Sequence, residues 1–501
     1  MNLLIRLIIL GLLFSANVYA KENKTTKQPN ILVVITDDHS WQHTSVQGSP
    51  FVNTPNVDRL ASEGFRFTNA YAASPGCSPS RAGFLTGQHH WMIGAAGTHG
   101  SSFPAHYETF VDVLERDGYK VGFTGKGWGP GSWYMGGRTK NPAGVEYNKA
   151  SLKRKAAKGI SKIDYAQNFN LFMDERKANE PFYFWFGSKE PHLKYEEGPR
   201  TKAELATVIV PGFMPDTEAS RSMLLDYADE IHHFDNHLGK ILAKLEAEGE
   251  LDNTLIIMTA DNGMPMARAK SNGYDHGIHV PLIIRWASSL KKGTVINGPI
   301  GFIDLSATIV DAAGITIPDQ FVGTSVMNLL NGEIDELEYD RPVFSGRERH
   351  SSSRYNNMGY PQRMMRSGDY LTIWNPKPDL HPAGDPLNIE GGKFVDAYHD
   401  IDDSVSKREL LAKRDDPYVS HYFHLAVDKR PEWEFFNVID DPDNLVNLAG
   451  NEKSADVFTK HKKMMLATLA NTGDLRVKGN GEVWEDYPRI EGKHRYFPIP
   501  E

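Results

Sequence analysis

The chain has 501 residues, of which 40% are hydrophobic, and its net charge is −9 at neutral pH. The hydrophobic content is enough for a substantial core, and the acidic balance argues against nucleic acid as a partner. A polyanionic ligand would therefore need a local basic pocket. The chain has a single cysteine, Cys77, so an internal disulfide is excluded and stability must come from packing or from a metal.

The first twenty residues have the plan of a secretory signal peptide. Arg6 supplies an early positive charge, an apolar run follows, and small residues lead up to Ala20. The apolar run is short for a membrane span of about 20 residues, so an N-terminal anchor is the less favoured alternative. We therefore expect cleavage after residue 20, no later membrane span, and a periplasmic or secreted protein.

Apolar, β-branched runs alternate with helical patterns along the chain. The predicted strands are 31–35, 119–123, 182–186, 254–259 and 281–285, and the predicted helices are 54–64, 110–118, 220–246 and 304–313. This alternation predicts an α/β fold with a mostly parallel sheet and helices on both faces. Basic and aromatic residues become more frequent after about residue 340, which predicts a large domain over 28–340. A smaller α+β domain over 341–501 would hold short strands such as 370–374.

Two of the predicted strands end in oxygen-bearing side chains. Asp37 and Asp38 follow the first strand, and Asp261 and Asn262 follow the strand over 254–259. Ligands in open α/β sheets collect at the carboxyl ends of strands, and hard divalent cations bind oxygen ligands. The two pairs together favour a metal site over the alternative that they cap helices or turns.

The segment SPGCSPSRAGFLTGQ, residues 74–88, surrounds the lone cysteine. Pro79 and Gly87 suit the start and the end of a short helix over 80–86, with Cys77 just ahead of it. A helix N-terminus favours an anion, and Arg81 adds a cationic group suited to oxyanions. Two alternative roles stay open for Cys77: a small hydrophobic residue buried in the core, or a thiol nucleophile.

The run Cys77-Ser78-Pro79-Ser80-Arg81, followed by Leu85-Thr86-Gly87, resembles the signature of the type I, formylglycine-dependent sulfatases. Further matches are the Asp-Asp strand end, Thr124–Lys126, Pro191-His192, Asp261–Gly263, Lys270 with Tyr274, and the segment 435–448. The chain is most similar to the heparan N-sulfatase-like and bacterial polysaccharide sulfatase branch. The resemblance implies an alkaline-phosphatase-like fold, with a large mixed, mostly parallel sheet sandwiched by helices. It also implies a short antiparallel sheet in the smaller C-terminal domain.

The resemblance implies that residue 77 works as 3-oxoalanine, the formylglycine form of cysteine, in its hydrated state. One hydroxyl attacks the sulfur of a sulfate ester and the alcohol leaves. The second hydroxyl then collapses to the aldehyde and expels sulfate. A formylglycine-generating enzyme or an anaerobic sulfatase-maturating enzyme is an implied partner.

Carried over to this sequence, the family pattern also assigns roles to individual residues. The implied metal ligands are Asp37, Asp38, Cys77, Asp261 and Asn262, around one divalent cation for which the family favours Ca²⁺ over Mg²⁺. Arg81 would stabilise the hydrated aldehyde, Lys126 and Lys270 would bind sulfate oxygens, and His192 would protonate the leaving oxygen.

The chain departs from the family at Trp128. The family usually has a histidine two residues after the lysine that Lys126 matches, where it helps to expel sulfate. Either another base serves or the metal and Asp261 suffice. His39, His89, His90 and His99 are near in sequence, and which of them, if any, substitutes is left open.

A sulfated polysaccharide or its oligosaccharides is the leading substrate class, because secretion and many aromatic residues suit a glycan. Arg347, Arg349, His350 and Arg354 form a basic cluster that could bind a carboxylate or a second sulfate, and His99 is a further candidate for substrate binding. The sugar and the choice of O- or N-sulfate stay open. Three alternatives also stay open: a phosphonate hydrolase or phosphodiesterase of the same superfamily, a non-catalytic glycan-binding protein, and a thiol-dependent enzyme.

Overall fold

The computed structural model describes residues 27–153, 157–287, 292–334 and 341–500. The predicted signal peptide, residues 1–20, lies outside the described residues. Within them a nine-stranded sheet forms the centre of the molecule. Its strands are β1 (Asn30–Thr36), β2 (Phe65–Tyr71), β3 (Lys120–Gly125), β4 (Val145–Glu146), β5 (Phe182–Gly187), β6 (Thr254–Ala260), β7 (His279–Arg285), β8 (Thr294–Ile296) and β9 (Ile300–Gly301).

The strand order is β4-β3-β5-β1-β6-β7-β2-β8, with β9 paired to β2. β1 runs parallel to both of its neighbours, β5 and β6. β7 is the exception, because it runs antiparallel to β6 and to β2. The predicted mixed, mostly parallel sheet is confirmed, and each of the five predicted strands belongs to it.

Helices cover both faces of the sheet, and β1 shows why. Its side chains alternate between two cores, with Ile31, Val33 and Ile35 in one and Leu32 and Val34 in the other. A strand buried on both faces is therefore a continuous apolar run. The helices in this part of the chain are α1 (Pro55–Glu63), α2 (Cys77–Thr86), α3 (Phe110–Arg116), α4 (Tyr165–Asp174), α5 (Lys202–Thr207), α6 (Glu218–Ala247), α7 (Asp275–Ile278), α8 (Phe302–Ala312) and α9 (Met327–Leu330).

α2 begins earlier than predicted, because Cys77 is its first residue rather than the residue ahead of it. Gly76 has the extended backbone of a helix cap, and its carbonyl accepts the first helical hydrogen bond from Ser80 at 3.1 Å. Pro79 fits inside the first turn because an N–H there has no helical partner to lose. The predicted stop at Gly87 is confirmed, since its φ of 62° is left-handed.

Beyond residue 340 the strands form smaller antiparallel sheets. Four strands pair in the order β10-β11-β12-β15, and β13 pairs with β14. The elements are β10 (Val343–Arg347), β11 (Gln362–Ser367), β12 (Tyr370–Trp374), β13 (Leu387–Glu390), β14 (Lys393–Asp396), α10 (Val405–Ala412), α11 (Ser420–Val427), β15 (Trp433–Asn437), α12 (Ala455–Asn471) and α13 (Val483–Asp486). The predicted strand over 370–374 is confirmed, whereas the domain boundary at 340 stays a prediction.

The four-stranded sheet packs directly on the large one. Tyr71 of β2 and Tyr274 share a buried cluster with Met364, Leu371 and Phe436 from the smaller sheet. The C-terminal region is thereby fixed beside the carboxyl ends of the central strands. Nowhere in the described ranges does a helix have both the length and the apolar character to cross a membrane.

Candidate active site

The two acidic strand ends meet, as the sequence predicts. β1 and β6 pair in register up to Thr36 and Ala260, so the next residues of both strands lie side by side. The backbone N–H of Asp38 donates to Asp261 Oδ1 at 3.0 Å, and Asn262 Nδ2 donates to Asp38 Oδ1 at 2.8 Å. A left-handed backbone at Asp38, with φ of 68°, makes the turn that keeps its carboxylate inside the site.

Cys77 lies at the start of α2 and faces both carboxylates of the first strand end. Its Sγ is 3.4 Å from Asp37 Oδ1 and 3.8 Å from Asp38 Oδ1, and the residue is 1% exposed. Burial raises the pKa of the Cys77 thiol well above its ordinary value, although Lys126 and Lys270 oppose the shift. A thiolate is disfavoured between two carboxylates, which speaks against a thiol-dependent enzyme.

Lys126 follows β3 and reaches the same group of residues. Its Nζ donates to both oxygens of Asp37, at 2.8 and 2.7 Å. Gly125 makes this approach feasible, because its φ is 79° and a Cβ there would lie 1.9 Å from the carbonyl oxygen of Gly187. The Thr-Gly-Lys pattern thus has a local structural reason: the glycine lets the chain turn into the site.

Lys270 connects the metal side of the site to His192. Its Nζ donates to Asp38 Oδ2 at 2.7 Å and to Asp402 Oδ2 at 3.0 Å, and it lies 3.1 Å from His192 Nε2. Burial opposes the charge, but Asp38 and Asp402 outweigh it and hold the pKa of Lys270 well above its ordinary value. Nδ1 of His192 lies 2.6 Å from the carbonyl oxygen of Leu193, so Nδ1 carries a proton and Nε2 points into the site.

Arg81 is fully buried one turn into α2. Its Nε donates to Asp261 Oδ2 at 2.8 Å, and its Nη1 donates to the carbonyls of Lys126 and Gly127 at 2.7 and 2.9 Å. Among the residues that the structure describes, its Nη2 has no hydrogen-bond partner, and it lies 4.0 Å from Asp37 Oδ1. One cationic N–H group therefore stays available for an anion at this point.

The two aspartates on either side of Arg81 are in unequal electrostatic surroundings. Burial opposes ionisation of Asp37, but Lys126, His192 and Arg81 hold its pKa well below the ordinary value. Burial and the charge of Asp37 raise the pKa of Asp261 to about 6. The site therefore holds a concentrated negative charge that additional positive charge would stabilise.

The donor set fits a hard divalent cation. Asp37, Asp38, Cys77 and His192 present ligand atoms that all lie within 4.8 Å of one another. Asn262 Oδ1 is buried and has no hydrogen-bond partner among the described residues, and a buried carbonyl oxygen of this kind is a suitable ligand. Three of these five donors are oxygen atoms, the ligand type that hard divalent cations bind.

A protein-family model, named Sulfatase, matches residues 29–315, which are more than half of the chain. The chain belongs to the sulfatase family. The matched range contains every predicted metal ligand and all five predicted catalytic residues of this sulfatase. Its predicted class, a sulfuric ester hydrolase, is confirmed.

Two curated relatives align with most of the sulfatase chain. An ulvan-active sulfatase of Formosa agariphila is 25% identical over 465 residues, covering 92% of this chain and 84% of the relative. Human N-sulphoglucosamine sulphohydrolase is 24% identical over 465 residues, covering 86% and 87%. The similarity to bacterial polysaccharide sulfatases and to an N-sulfatase confirms the branch that the sequence motifs indicate.

Solved structures share the fold. One, in complex with its substrate D-glucosamine-2-N,6-O-disulfate, superposes with a TM-score of 0.61 at 21% identity, covering 91% of this chain and 99% of that chain. The phosphonate monoester hydrolase of Agrobacterium radiobacter also reaches 0.61, at 17% identity, covering 90% and 97%. The alkaline-phosphatase-like sulfatase fold predicted from the sequence is confirmed.

Trp128 has a structural role in this sulfatase. Its Nε1 donates to the carbonyl of Ser78 at 3.0 Å, its ring packs edge-on against Phe103, and it is 3% exposed. The indole therefore supports the first turn of α2 from below. Its one N–H group is used in that hydrogen bond and its ring is buried, so it cannot donate to an anion bound at residue 77.

Of the four histidines near in sequence, His99 is the one whose pKa responds to the charges of Lys126 and Lys270. The rings of His89 and His90 pack on Trp91, and His39 binds the carbonyl of His43 at 2.7 Å. The ring of His99 lies 4.5 Å from that of His350. Burial lowers the pKa of His99, and Lys270 and Lys126 are among the charges that add to the shift.

His350 belongs to the same side of the site. Its ring carbon Cδ2 lies 3.1 Å from where a Cβ on Gly76 would be, so it covers the residue before Cys77. The predicted basic cluster is otherwise committed to internal contacts. Arg347 and Arg354 both pair with Asp400, at 2.6 and 2.9 Å, and Arg349 donates to the carbonyl of Tyr487 at 2.8 Å.

The sequence analysis missed Asp402 and Glu190. Glu190 is 1% exposed, its carbonyl accepts the backbone N–H of Asp37 at 3.0 Å, and its carboxylate binds Tyr165 and Ser188. Its position directly before Pro191-His192 was the available signal. Asp402 lies in an Asp-Ile-Asp-Asp run that is typical of a surface loop, and no local sequence pattern indicates its contact with Lys270.

Proposed function

We propose that this sulfatase releases sulfate from a sulfated polysaccharide or its oligosaccharides in the periplasm or outside the cell. It uses a formylglycine made from Cys77 and one divalent cation. The observation that carries the proposal is the position of Cys77. Its Sγ faces the carboxylates of Asp37 and Asp38 while Lys126 and Lys270 bind those same carboxylates. Both charges at such density around one side chain are typical of a site that handles a cation and an anion together.

The cation is Ca²⁺, with Mg²⁺ as the alternative, held by Asp37, Asp38, Asp261, Asn262 and residue 77. When bound, it supplies positive charge that polarises a sulfate oxygen and favours an ionised hydroxyl on residue 77. The unpartnered, buried Oδ1 of Asn262 supports this assignment. Formylglycine supplies the second hydroxyl that a serine or a cysteine lacks.

The surrounding cations bind the sulfate group. Lys126 and Lys270 enter from two sides, and the free Nη2 of Arg81 adds a third donor. Sulfate oxygens gain charge as the ester bond breaks, and fixed N–H donors stabilise that charge without reorganising. These three residues therefore account for binding and for much of the rate enhancement.

His192 delivers the proton that the leaving group needs. Attack on sulfur forms a bond to the oxygen of residue 77 and breaks the bond between sulfur and the sugar oxygen, which takes the proton from Nε2 of His192. Nδ1 is fixed by the carbonyl of Leu193, so Nε2 is the nitrogen that faces the reaction. Uptake of a proton from water then restores the protonated imidazole for the next cycle.

The substrate class comes from the relatives. One acts on ulvan, and one solved structure holds a glucosamine bearing an N- and an O-sulfate. Ulvan oligosaccharides and sulfated glucosamines are therefore the first substrates to test. A cleaved signal peptide, residues 1–20, would place the enzyme where such glycans occur.

The test is sulfate release from protein co-expressed with a formylglycine-generating or an anaerobic sulfatase-maturating enzyme. Free sulfate is quantified by ion chromatography after incubation with ulvan oligosaccharides and with sulfated glucosamines. The released alcohol is quantified after incubation with a phosphonate monoester and with a phosphodiester. The proposal requires sulfate release that a chelator removes and Ca²⁺ restores. Turnover of the phosphorus esters alone would support the hydrolase alternative, and no turnover by matured, calcium-loaded protein would support the non-catalytic one.

A further inference from the structure

The segment after β14 carries three aspartates and returns to the active site. Asp400 is 2% exposed and fixes the segment, because its carboxylate binds Arg347 and Arg354, and its Oδ1 accepts the backbone N–H of Ser351 at 3.0 Å. Burial opposes ionisation of Asp400, but Arg354 and Arg347 hold its pKa well below the ordinary value. Asp402 is therefore presented on a rigid support.

Asp402 lies on the leaving-group side of the site. Its Oδ2 is 3.0 Å from Lys270 Nζ, and the same nitrogen is 3.1 Å from His192 Nε2. The side chain is 29% exposed, whereas that of Lys270 is 5% exposed, so Asp402 is the more accessible partner of this ion pair. Burial opposes ionisation of Asp402, but the charge of Lys270 outweighs it and holds the pKa of Asp402 well below its ordinary value.

We propose that Asp402 selects the leaving sugar: its carboxylate accepts hydrogen bonds from hydroxyl or amide N–H groups next to the sulfate ester. It also disfavours a sugar that bears a carboxylate or a second sulfate at that position. This inference rests on the proposed function, since it names the substrate class of the same site. An ionised carboxylate is an acceptor only, and two vicinal hydroxyls can donate to its two oxygens.

The neighbouring arginines do not change this preference. Arg347 and Arg354 would attract an anionic sugar, but both are at most 3% exposed and both are paired with Asp400. Asp400 thus offsets part of the positive charge of these two arginines, and both are held away from solvent. Asp402 is more exposed than either of them, although it also pairs with Lys270.

A cavity of about 420 Å³, large enough for a sugar, is lined by residues that follow His192 and Asp402 in the chain. Leu193 and Lys194, which follow His192, line one side, and Asp403 and Arg408 line the other. The same two segments therefore shape the leaving-group end and the cavity.

The variant Asp402→Asn tests the proposal, because it keeps the size of the side chain and removes its charge. On a sulfated oligosaccharide that the wild type hydrolyses, kcat/KM should fall by about 10- to 100-fold, the value of hydrogen bonds to a charged group. On 4-nitrophenyl sulfate, which has no hydroxyl donors, kcat/KM should rise because a negative charge near the sulfate is removed. A change of both values in the same direction would overturn the proposal.

Two controls separate this result from other failures. Asp396→Asn removes an exposed aspartate of β14 that pairs with Arg414, and it should change neither value. Affinity for inorganic sulfate is measured with unmatured protein, independently of turnover, and Asp402→Asn should raise it. If the wild type hydrolyses no sulfate ester, the proposed function fails. In that case the role of Asp402 is judged from sulfate binding alone, and equal sulfate affinities of Asp402→Asn and the wild type would overturn it.

Discussion

The two ends of the active site are built by different parts of the chain. The sulfate end, formed by Asp37, Asp38, Cys77 and Asp261, comes from strand ends and one helix start of the large sheet. The sugar end, formed by His350, Asp400 and Asp402, comes from connections in the C-terminal region. The first is fixed by the backbone geometry of a parallel sheet. The second depends on ion pairs between segments far apart in sequence, so it can vary while the sulfate end is kept.

The largest effect is expected at the sulfate end. Cys77→Ala removes the precursor of the nucleophile, so sulfate release should fall by about 10⁶-fold, as it does when other enzymes lose their nucleophile. The side chain is small and makes only long contacts to carboxylates, so the Tm should stay close to that of the wild type. Ion chromatography and a thermal melt measure the two values. Appreciable turnover by the variant would exclude residue 77 as the nucleophile.

His192 lies between the two ends, and the effect of removing it on kcat should depend on the leaving group. His192→Ala should lower kcat on a sulfated sugar by about 10²- to 10⁴-fold, the usual contribution of a general acid. The loss on 4-nitrophenyl sulfate should be much smaller, because nitrophenolate leaves without a proton. His232→Ala, on α6 and bonded to the backbone of Asn53, serves as the control. Equal losses on both substrates would argue against proton donation by His192.

The sugar end should respond in stability. Asp400→Asn leaves Arg347 and Arg354 buried without their counter-charge, so the free energy of unfolding should fall by about 3–5 kcal/mol. Asp396→Asn, which breaks an exposed pair, should cost less than about 1 kcal/mol. Urea unfolding at neutral pH compares the two variants. Equal stabilities would mean that the Asp400 cluster is not what supports the sugar end.

The smallest expected effect is a loss of stability at low pH. It should be similar for a buried histidine on α6 and for one beside the C-terminal sheet. Burial lowers the pKa of His237 on α6 to about 3 and that of His89, beside the C-terminal sheet, to about 4. Between these values and about 6.5 the unfolded chain binds more protons than the folded chain, so stability falls as the pH falls. Each histidine should cost about 1–2 kcal/mol between pH 7 and pH 5. Urea unfolding of His237→Gln and His89→Gln should show a weaker loss, and an unchanged loss would contradict the assignment.

The sequence predicts the sulfate end well because its signals are local. Neighbouring residues determine how these side chains enter the site: an apolar strand precedes Asp37-Asp38, and a glycine precedes Lys126. β2 was not predicted, because its run FRFTNAY mixes polar and apolar residues and pairs irregularly with β7, with a register shift between Phe67 and Ala70. The pairing of Arg347 and Arg354 with Asp400, 53 and 46 positions away, leaves no local pattern. A basic cluster in the sequence therefore became an ion-paired support in the structure.

The central claim is that Cys77 acts only after conversion to formylglycine. Trypsin cuts after Arg66 and Arg81 and yields the peptide FTNAYAASPGCSPSR, which contains this residue alone among cysteines. The mass of that peptide, from protein made in its native host, is the direct test. The account predicts a peptide lighter than the encoded one by the difference between CH₂–SH and CHO, and reactive towards hydrazide reagents. An intact thiol in an active preparation would contradict it.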